Sequence, residues 1–512
     1  MIAAIFAYAL AAIAVDPLSL NGDAALHIEA AERILDGGTP SVDAIDTNPP
    51  LIMYLTAVPT AVARLLDTHP IPVFLISVWL LSAVSAFSAR RLLLGALPPR
   101  ESVHAHLLGV SLALATCALL FRNEFGQREH LFIYGVLPYL MVRFRSWEEI
   151  PTPTAAAVLC GFAAGFAASI KPQLALIVIA PEIYWAITRR GVRALFRIEI
   201  AAAVAAGLAY LAYLVLVPAQ REAFFGVWVP LLVRGFAAFN GTYESVILWH
   251  FADWRPAAVA ILPFVLRARA GDTAWRLARP LAAATIAAAA VFILQRKGWT
   301  YHAVPILVLA YVVVGFIAAQ LLTPTSDERP SPALTSMIPA RLLRLAFGSA
   351  IVLAIAISLI AAGTGVRGHQ ERILTNSAVG QRITAHSNAG DPVLLLSTSA
   401  WDPYPLLVQL ERRQASRALF AFPVSLIYHG SNGDQPSPYP EVEARFLEDL
   451  KADVLNKRPK LVLIDTTKPC YGCPEGMALT SYFERTGFVA TALAGYERSS
   501  NVGRYETYVK RE

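Results

Sequence analysis

Residues 21–51 read NGDAALHIEAAERILDGGTPSVDAIDTNPPL and form a polar stretch between two apolar segments, residues 2–15 and 71–89. The same alternation continues along the chain, where charged loops separate apolar blocks close to the roughly 20 residues that cross a bilayer as a helix. With 56% hydrophobic and only 16% charged residues in 512, a soluble globule of this size could not bury its apolar surface. The sequence therefore predicts a polytopic, α-helical membrane protein.

The apolar blocks predict about eleven transmembrane helices. They cover residues 2–15, 71–89, 103–121, 130–142, 154–170, 174–188, 196–217, 256–266, 280–294, 303–322 and 342–362. Every second loop is rich in arginine, for example at Arg90, Arg143 and Arg145, so the positive-inside rule places these loops in the cytoplasm. The other loops, and the chain after residue 362, then face outward. A cleaved signal peptide is the alternative for the first apolar block, which is short.

The net charge of +6 and the pI near 9.1 do not indicate a nucleic-acid partner. A nucleic-acid site would require a cluster of Lys and Arg on one face of a folded polar segment, and the sequence shows none. The membrane topology explains the basic excess better.

The chain becomes polar after about residue 365 and predicts a second, smaller domain. Short apolar runs alternate there with helix-like stretches, which is typical of an α/β domain. The runs are residues 393–396, 461–464 and 505–509, and the helix-like stretches are 366–386 and 441–455. We therefore expect a transmembrane domain over residues 1–362, a cytoplasmic linker within 323–339, and an extracytoplasmic α/β domain over 363–512.

Two cysteines, Cys470 and Cys473, lie in the segment KPCYGCPEG of the second domain. An oxidising, outward-facing compartment permits a local disulfide between them, and free thiols are the alternative. A zinc site would need a second pair of ligands at comparable spacing, which the sequence does not show.

Asp23 opens the helical stretch of the first outward loop, where its carboxylate can accept hydrogen bonds from the free amides of the first turn. Asp23 and His27 are four residues apart and so share one face of the predicted helix. This pattern predicts a carboxylate and an imidazole side by side at the membrane surface. A helix cap followed by a solvated face is the alternative.

Two short outward segments carry further polar groups next to apolar spans, where such groups cost free energy. The first, FRNEFGQREHLF at 121–132, contains Arg128, Glu129 and His130. The planar fork of an arginine suits a phosphate oxygen, although the charges here could simply neutralise one another. The second, SIKPQ at 169–173, contains Lys171, for which snorkelling to the interface is the alternative.

A fourth outward segment, QRKGWTYHAVP at 295–305, combines two cations with aromatic rings and an imidazole. The residues are Arg296, Lys297, Trp299, Tyr301 and His302. Such a set suits an amphiphile whose headgroup carries phosphate and sugar. An interfacial aromatic belt with snorkelled bases is the alternative.

The first loop resembles that of the C-type glycosyltransferase (GT-C) superfamily, in particular the branch of protein O-mannosyltransferases and the lipid A aminoarabinose transferase. That branch has an outward loop similar to D-E-A-x-Y-x-x-x-A followed by an acid and x-P-P-L. The matching residues are Asp23, Ala24, Ala25 and Ala30, then 46–51. Many spans with an outward C-terminal domain, the SIKPQ segment and the KGWTYHAVP segment are also similar.

The resemblance implies an inverting glycosyltransferase that takes its sugar from a polyprenyl-phosphate donor. The family's general base carries over to Asp23, which would take the proton of the attacking acceptor hydroxyl. The leaving lipid phosphate needs positive charge rather than a proton, and the bases near the outer rim would supply it. The donor-phosphate candidates are Arg128, Lys171, Arg296 and Lys297. The substrate-binding candidates are His27, Asp46, Asn48, Glu129, His130, Trp299, Tyr301 and His302.

Two positions depart from the family pattern. The aminoarabinose branch has a phosphate-contacting lysine before P-P-L, where this chain has Asn48, so the phosphate role must shift to another base. The second acid of the doubled motif is Ala24 here, so we expect no obligatory metal or other cofactor. Asp46 is a candidate for positioning the acceptor or for capping the helix after NPPL.

A polytopic transporter and a non-catalytic scaffold for envelope assembly are the competing functions. A transporter would show internal repeats and charges near the bilayer midplane, whereas the charges here gather at one surface. On the enzyme hypothesis the partners are the donor lipid, membrane lipids, and a glycan, lipid or protein acceptor, and nucleic acid is not one of them. The expected location is a bacterial inner membrane, with the C-terminal domain in the periplasm.

Overall fold

The computed structural model describes residues 1–266, 272–322, 374–431 and 436–511. These residues are mostly helical and include one small sheet near the C-terminus, as the sequence predicts. The predicted span 342–362, the linker within 323–339 and the boundary between the two predicted domains lie outside the described residues. The division of the chain at residue 362 therefore stays a prediction.

The α-helices and strands alternate with short turns of π- and 3-10 helix. The α-helices are α1 (Ile2–Val15), α2 (Gly22–Leu35), α3 (Leu51–Leu65), α4 (Pro70–Leu94), α5 (Ser102–Phe121), α6 (Arg128–Trp147), α7 (Thr154–Ile170), α8 (Ala175–Arg189), α9 (Ile198–Leu216), α10 (Pro218–Gln220), α11 (Val229–Gly235), α12 (Phe251–Trp254), α13 (Leu262–Val265), α14 (Trp275–Gln295), α15 (Val304–Leu322), α16 (Ala378–His386), α17 (Leu406–Gln409), α18 (Phe422–Tyr428), α19 (Pro440–Lys457), α20 (Leu479–Arg485) and α21 (Phe488–Ala492). The strands are β1 (Pro392–Leu396), β2 (Arg413–Gln414), β3 (Leu461–Asp465), β4 (Tyr496–Val502) and β5 (Tyr505–Lys510).

In the described part of the chain, 6 helical segments are long and apolar enough to cross a bilayer. They are Pro70–Leu94, Pro99–Leu120, Ile198–Leu216, Pro218–Phe239, Trp275–Gln295 and Thr300–Gln320. Three shorter apolar helices are Ile2–Val15, Leu51–Leu65 and Thr154–Ile170. The protein is therefore an integral membrane protein, while the count of about eleven spans stays a prediction.

Three regions differ in detail from the predicted spans. The segment Pro218–Phe239, expected as part of an outward loop, is helical and apolar. Residues 256–266, expected as a span, form a 3-10 stretch, Arg255–Ile261, followed by the single turn α13. Helix α6 contains the predicted span 130–142, but it also carries three arginines and a glutamate outside that span, which reduce its mean apolar character.

The chain divides into two compact units, each built from three segments. The first unit comprises Met1–Val15, Ile76–Tyr210 and the described part of Gly241–Gly368. The second comprises Asp16–Leu75, Leu211–Asn240 and the described part of His369–Glu512.

Close packing of helix α7 in the first unit depends on two glycines four residues apart. A Cβ atom at Gly161 would lie 2.2 Å from the carbonyl oxygen of Glu199, and one at Gly165 would lie 2.2 Å from that of Ala203. No side chain fits such distances, so the backbones of α7 and α9 meet directly. The glycines form a GxxxG pattern, which permits close helix packing in membranes.

The arginines of α6 that the topology argument counts as cytoplasmic charges are buried in the first unit. Arg143 is 0% exposed and donates hydrogen bonds to Glu182 at 2.7 Å and to Glu199 at 2.5 Å. Arg145 donates to Thr152 at 2.9 Å and to the carbonyl of Leu92 at 2.9 Å. Both side chains therefore connect separate parts of the first unit, in addition to any part they play in setting the membrane topology.

The second unit contains the five-stranded sheet, whose order is β2-β1-β3-β5-β4. Strand β1 runs parallel to β2 and β3, and β5 pairs antiparallel with β3 and β4. The expected strands 393–396, 461–464 and 505–509 are confirmed as parts of β1, β3 and β5. Strands β2 and β4 were not predicted, because β2 has 2 residues and β4, YERSSNV, is largely polar.

Helix α2 packs on α3 and on α17 in the same unit. Arg33 of α2 links this helix to the chain around β2: it donates to the carbonyls of Gln414 at 2.7 Å and Ser416 at 2.9 Å. It also forms an ion pair with Glu29 at 2.9 Å. The loop of residues 16–75 is thus held by the polar tail of the chain.

Two further expectations concern the tail. The helix expected over 366–386 is α16, Ala378–His386, preceded by a 3-10 turn at Leu374–Asn376; residues 366–373 lie outside the described part of the chain. Cys470 and Cys473, for which a disulfide and free thiols were both considered, are bonded to each other. Helix α19, Pro440–Lys457, covers the expected helix 441–455.

Candidate functional site

Asn21, not Asp23, caps helix α2. The side-chain oxygen of Asn21 accepts a hydrogen bond from the amide of Ala24 at 2.8 Å, so the helix begins one residue before Asp23. Asp23 lies in the first turn and is partly exposed, whereas Asn21 is fully buried. Asp23 is therefore not the N-cap residue of α2, and its role as a general base stays a prediction.

His27 and Asp46 meet in the second unit. His27 Nε2 lies 3.6 Å from Asp46 Oδ2, and both side chains are at most 3% exposed. Asp46 also accepts hydrogen bonds from the amide of Thr47 and from Asn48 Nδ2, each at 2.6 Å. Pro50 is the N-cap residue of α3, and Asp46 lies in the turn before it. Asp46 thus fixes the turn before NPPL against the face of α2 that carries His27.

Lys171 lies at the centre of the predicted polar residues in the first unit. Its Nζ is 2.6 Å from Glu129 Oε1 and 2.8 Å from His302 Nε2. Glu129 and His302 are 0% and 3% exposed. Helix α7 ends before Lys171, whose φ of −148° and ψ of 91° make it extended, and Pro172 begins a 3-10 turn. The break between α7 and α8 directs this lysine into a buried position.

Aromatic rings surround the cationic groups of this site. Arg128 Cζ and Lys171 Nζ lie 5.9 Å and 5.8 Å from the centroid of the Tyr301 ring. The Tyr301 ring stacks on Trp299 at 5.7 Å, and Lys297 Nζ lies 5.8 Å from the Trp299 ring. Cations over aromatic faces are stabilised by the ring quadrupole. We call Arg128, Glu129, Lys171, Lys297, Trp299, Tyr301 and His302 the basic cluster.

Positive charges lie close together within the basic cluster. Arg128, Lys171 and Lys297 are all near enough to His302 to interact with it electrostatically. Burial, with Lys171 and Arg296 adding to it, lowers the pKa of Lys297 to about 8. This crowding disfavours the charged form of Lys297, and a bound anion would relieve it.

Two candidate residues, Arg296 and His130, make contacts other than those within the basic cluster. Arg296 has a φ of 55° and donates from Nε to the carbonyl of Gly241 at 3.2 Å, with its guanidinium 4.7 Å from the Tyr243 ring centroid. His130 is fully buried, accepts from the amide of Gly126 at 3.2 Å and packs on Tyr134. Arg296 is thus held by the loop at 241–243, and His130 packs within the helical core.

The buried polar atoms at or beside the basic cluster that have no hydrogen-bond partner among the described residues include Glu129 Oε2, His130 Nε2 and His302 Nδ1. Unsatisfied buried polar atoms are rare in proteins and indicate unseen water or a ligand. The sequence-predicted residues therefore fall into two groups. Asp23, His27, Asp46 and Asn48 lie in the second unit, and the basic cluster with Arg296 and His130 lies in the first.

A charged cleft in the second unit was missed by the sequence analysis. It has a volume of about 340 Å³, and its lining includes Glu29, Arg33, Arg413 and Lys457. Glu29 and Arg33 are four residues apart in the first outward loop, and this spacing is the signal that could have indicated an ion pair. Their partners around β2 are distant in sequence and could not be inferred.

In the part of the chain that the structure describes, no three His, Cys, Asp or Glu residues are grouped so that they could hold a metal ion. The sequence-based expectation that no metal is required stays a prediction. The residues of both groups are instead suited to hydrogen bonding, charge stabilisation and proton transfer.

Comparison with known proteins gives one informative result. No protein-family model and no curated protein matches the chain. Among solved structures, it is similar to the crystal structure of ArnT from Cupriavidus metallidurans bound to undecaprenyl phosphate, with a TM-score of 0.53 and 14% sequence identity. The similarity covers 99% of this chain and 97% of that chain. The chain thus has a fold similar to that of ArnT, in agreement with the resemblance noted for its first outward loop.

Proposed function

We propose that this protein is an inverting glycosyltransferase that moves a sugar from a polyprenyl-phosphate donor to an acceptor hydroxyl. The fold of ArnT, a protein solved with undecaprenyl phosphate, supports a polyprenyl-linked donor. The observation that carries the proposal is the basic cluster, in which Lys171 contacts both Glu129 and His302 at the broken helix between α7 and α8.

The basic cluster suits a sugar-phosphate headgroup for two reasons. Arg128, Lys171 and Lys297 concentrate positive charge around His302, and charge in a low-dielectric site is effective at stabilising a leaving phosphate. Trp299 and Tyr301 add flat apolar faces beside those charges. Such a combination of charged and aromatic side chains matches a ligand that is an anion at one end and a sugar at the other.

Asp23 is the proposed general base. The acceptor oxygen forms a bond to the anomeric carbon while its proton passes to the Asp23 carboxylate. The bond between the anomeric carbon and the phosphate oxygen breaks, and the electron pair leaves with the lipid phosphate. A single displacement of this kind inverts the anomeric configuration. Glu29 of the same helix is buried in an ion pair with Arg33, and His27 is buried 3.6 Å from Asp46, so both are less suited to this role.

Transfer by the purified protein tests the proposal. The protein in lipid nanodiscs is incubated with undecaprenyl-phosphate sugars and with glycan, lipid and peptide acceptors, and products are scored by mass spectrometry. We expect inverted product from wild type, at least a hundredfold loss with Asp23→Asn, and no loss with Asp67→Asn, a matched change at an exposed loop position. Absence of product with every donor and acceptor, or full activity of the Asp23→Asn variant, would overturn the proposal.

The proposed site of action is the outer face of a bacterial inner membrane, with the C-terminal domain in the periplasm. The arginine-rich alternate loops and the disulfide between Cys470 and Cys473 support this orientation, because disulfides persist in oxidising compartments. This orientation is tested by introducing single cysteines into the C-terminal tail of the protein and labelling them with a maleimide in intact cells. Labelling by an impermeant reagent is expected, and labelling only after permeabilisation would contradict it.

A further inference from the structure

The carboxyl ends of β1 and β3 bring a polar group of residues together in the second unit. Ser397 follows β1, and its hydroxyl donates to Asp465, the last residue of β3, at 3.2 Å and also to Asp402. Arg504 pairs with Asp402, and its Nε lies 3.4 Å from Asp465 Oδ1. Ligands of open α/β sheets bind outside the carboxyl ends of parallel strands. This edge is therefore the natural binding edge of the small domain.

Trp401 presents an indole ring at the same edge. It is 46% exposed, whereas Tyr404, three residues later, is fully buried. A half-exposed tryptophan presents an apolar ring together with a polar N–H, a combination that is enriched at binding surfaces. The side chain of Arg504 is 49% exposed and pairs with Asp402, the residue that follows Trp401.

The indole of Trp401 lies against the start of helix α2, directly before the proposed base. A Cβ atom at Gly22 would be 3.3 Å from Trp401 Cδ2 and 2.8 Å from the carbonyl oxygen of Tyr404. Only glycine permits this approach, so the backbone of α2 and the loop after β1 are in direct contact. Asp23 is the next residue along the chain. The exposed Trp401 thus contacts the residue that precedes the partly exposed Asp23, within one compact unit.

We propose that Trp401, with Asp402 and Arg504, forms a subsite for a pyranose ring of the acceptor, which makes the acceptor a glycan or glycolipid. This inference rests on the proposed function and specifies its substrate class. The C–H face of a pyranose is apolar and loses contact with water when it stacks on the indole. Its hydroxyls can donate to Asp402 and accept from Arg504, whose planar fork can bind two neighbouring oxygens. The contact of Trp401 with Gly22 places such a sugar near the start of α2, the helix that carries Asp23.

Binding is measured separately from turnover. Saturation-transfer NMR on the full-length protein in nanodiscs uses methyl β-glucoside and methyl α-mannoside as probes, with irradiation of the aromatic resonances. We expect transfer to the ring C–H protons of at least one probe in wild type, in Trp401→Phe and in Asp23→Asn. We expect its loss in Trp401→Ala, but not in Leu455→Ala, which removes an exposed apolar side chain elsewhere in the unit. No transfer in wild type, or equal transfer in Trp401→Ala, would overturn the subsite.

Kinetics then separates failure of the subsite from failure of the proposed function. With the acceptor found in the transfer assay, Trp401→Ala is expected to raise the acceptor KM about threefold to tenfold, the range of a single aromatic contact. The donor KM and the thermal midpoint should stay unchanged, and Trp401→Phe should recover most of the loss. An unchanged acceptor KM in an active Trp401→Ala enzyme, or transfer only to peptides, would refute the subsite and leave the glycosyltransferase proposal intact.

Discussion

Lys171 Nζ lies 2.6 Å from Glu129 Oε1 in the first unit, and both side chains are buried. The pair joins the break after α7 to the first turn of α6. A lysine and a glutamate so placed compensate each other's charge, and the imidazole of His302 extends the contact at 2.8 Å. We therefore expect two roles that experiment can separate, one in stability and the proposed one of Lys171 in holding the donor phosphate.

Replacement of Lys171 by Met is expected to lower stability by about 3–5 kcal/mol, because it leaves the Glu129 carboxylate buried without its cation. Thermal unfolding in detergent measures the loss. The double variant Lys171→Met with Glu129→Gln removes both charges and should recover most of that stability, while sugar transfer remains at least a hundredfold reduced. Recovery of transfer in the double variant would show that the lysine is only structural.

Donor affinity is expected to fall as pH rises through about 8, the pKa to which burial and neighbouring cations lower Lys297. Below that pH the ammonium is charged and attracts phosphate; above it the neutral amine does not. The donor KM measured from pH 6.5 to 9.5 should rise above pH 8 in wild type. Lys297→Arg should show no inflection in this range, because arginine stays protonated. A donor KM with the same pH profile in both proteins would contradict this role.

The glycine pair of α7 gives a test of helix packing. Gly161→Ala and Gly165→Ala should each destabilise the protein by about 1–3 kcal/mol, because a Cβ would collide with the α9 backbone. Gly207→Ala on α9 is the matched control: its Cβ would meet Ser169 Oγ at an ordinary 3.7 Å. That variant should gain up to about 1 kcal/mol from helix propensity. Equal effects of all three changes would argue against direct contact of α7 with α9.

Arg33→Ala is expected to lower stability by about 3–5 kcal/mol, because it leaves Glu29 buried without its partner and several carbonyls without a donor. Limited proteolysis should then cut the loop of residues 16–75 faster than in wild type. Lys451→Ala, at an exposed position of α19, serves as the control for loss of a positive charge. Unchanged protease resistance of Arg33→Ala would contradict the link between this loop and the tail.

Hydropathy and local spacing predicted much of the fold because they act over a few residues. The apolar blocks gave most of the helices, and the alternating runs gave β1, β3 and β5. The four-residue spacing of Asp23 and His27 correctly placed both on one helix. Strand β4 was not predicted because its sequence is largely polar, and the helical segment Pro218–Phe239 was not predicted because its polar and aromatic residues were read as an outward loop.

The candidate site was predicted as a set of residues but not as contacts. Lys171 was expected to snorkel or to bind phosphate, and its pairing with Glu129 joins residues 42 apart in sequence. Arg143 was read as a topological charge, because nothing local reveals that Glu182 and Glu199 surround it. Long-range ion pairs need the tertiary structure, since any of many acids could have served.

The bond from Arg33 to the carbonyl of Gln414 spans 381 positions of the chain. The segment that carries Asp23 therefore leaves the ribosome long before the residues that anchor it have been synthesised. During synthesis this early segment cannot form these contacts until the chain around β2 has been made. Maturation of the proposed base is thus coupled to completion of translation, and a nascent chain arrested before β2 would carry the carboxylate without the scaffold that holds it.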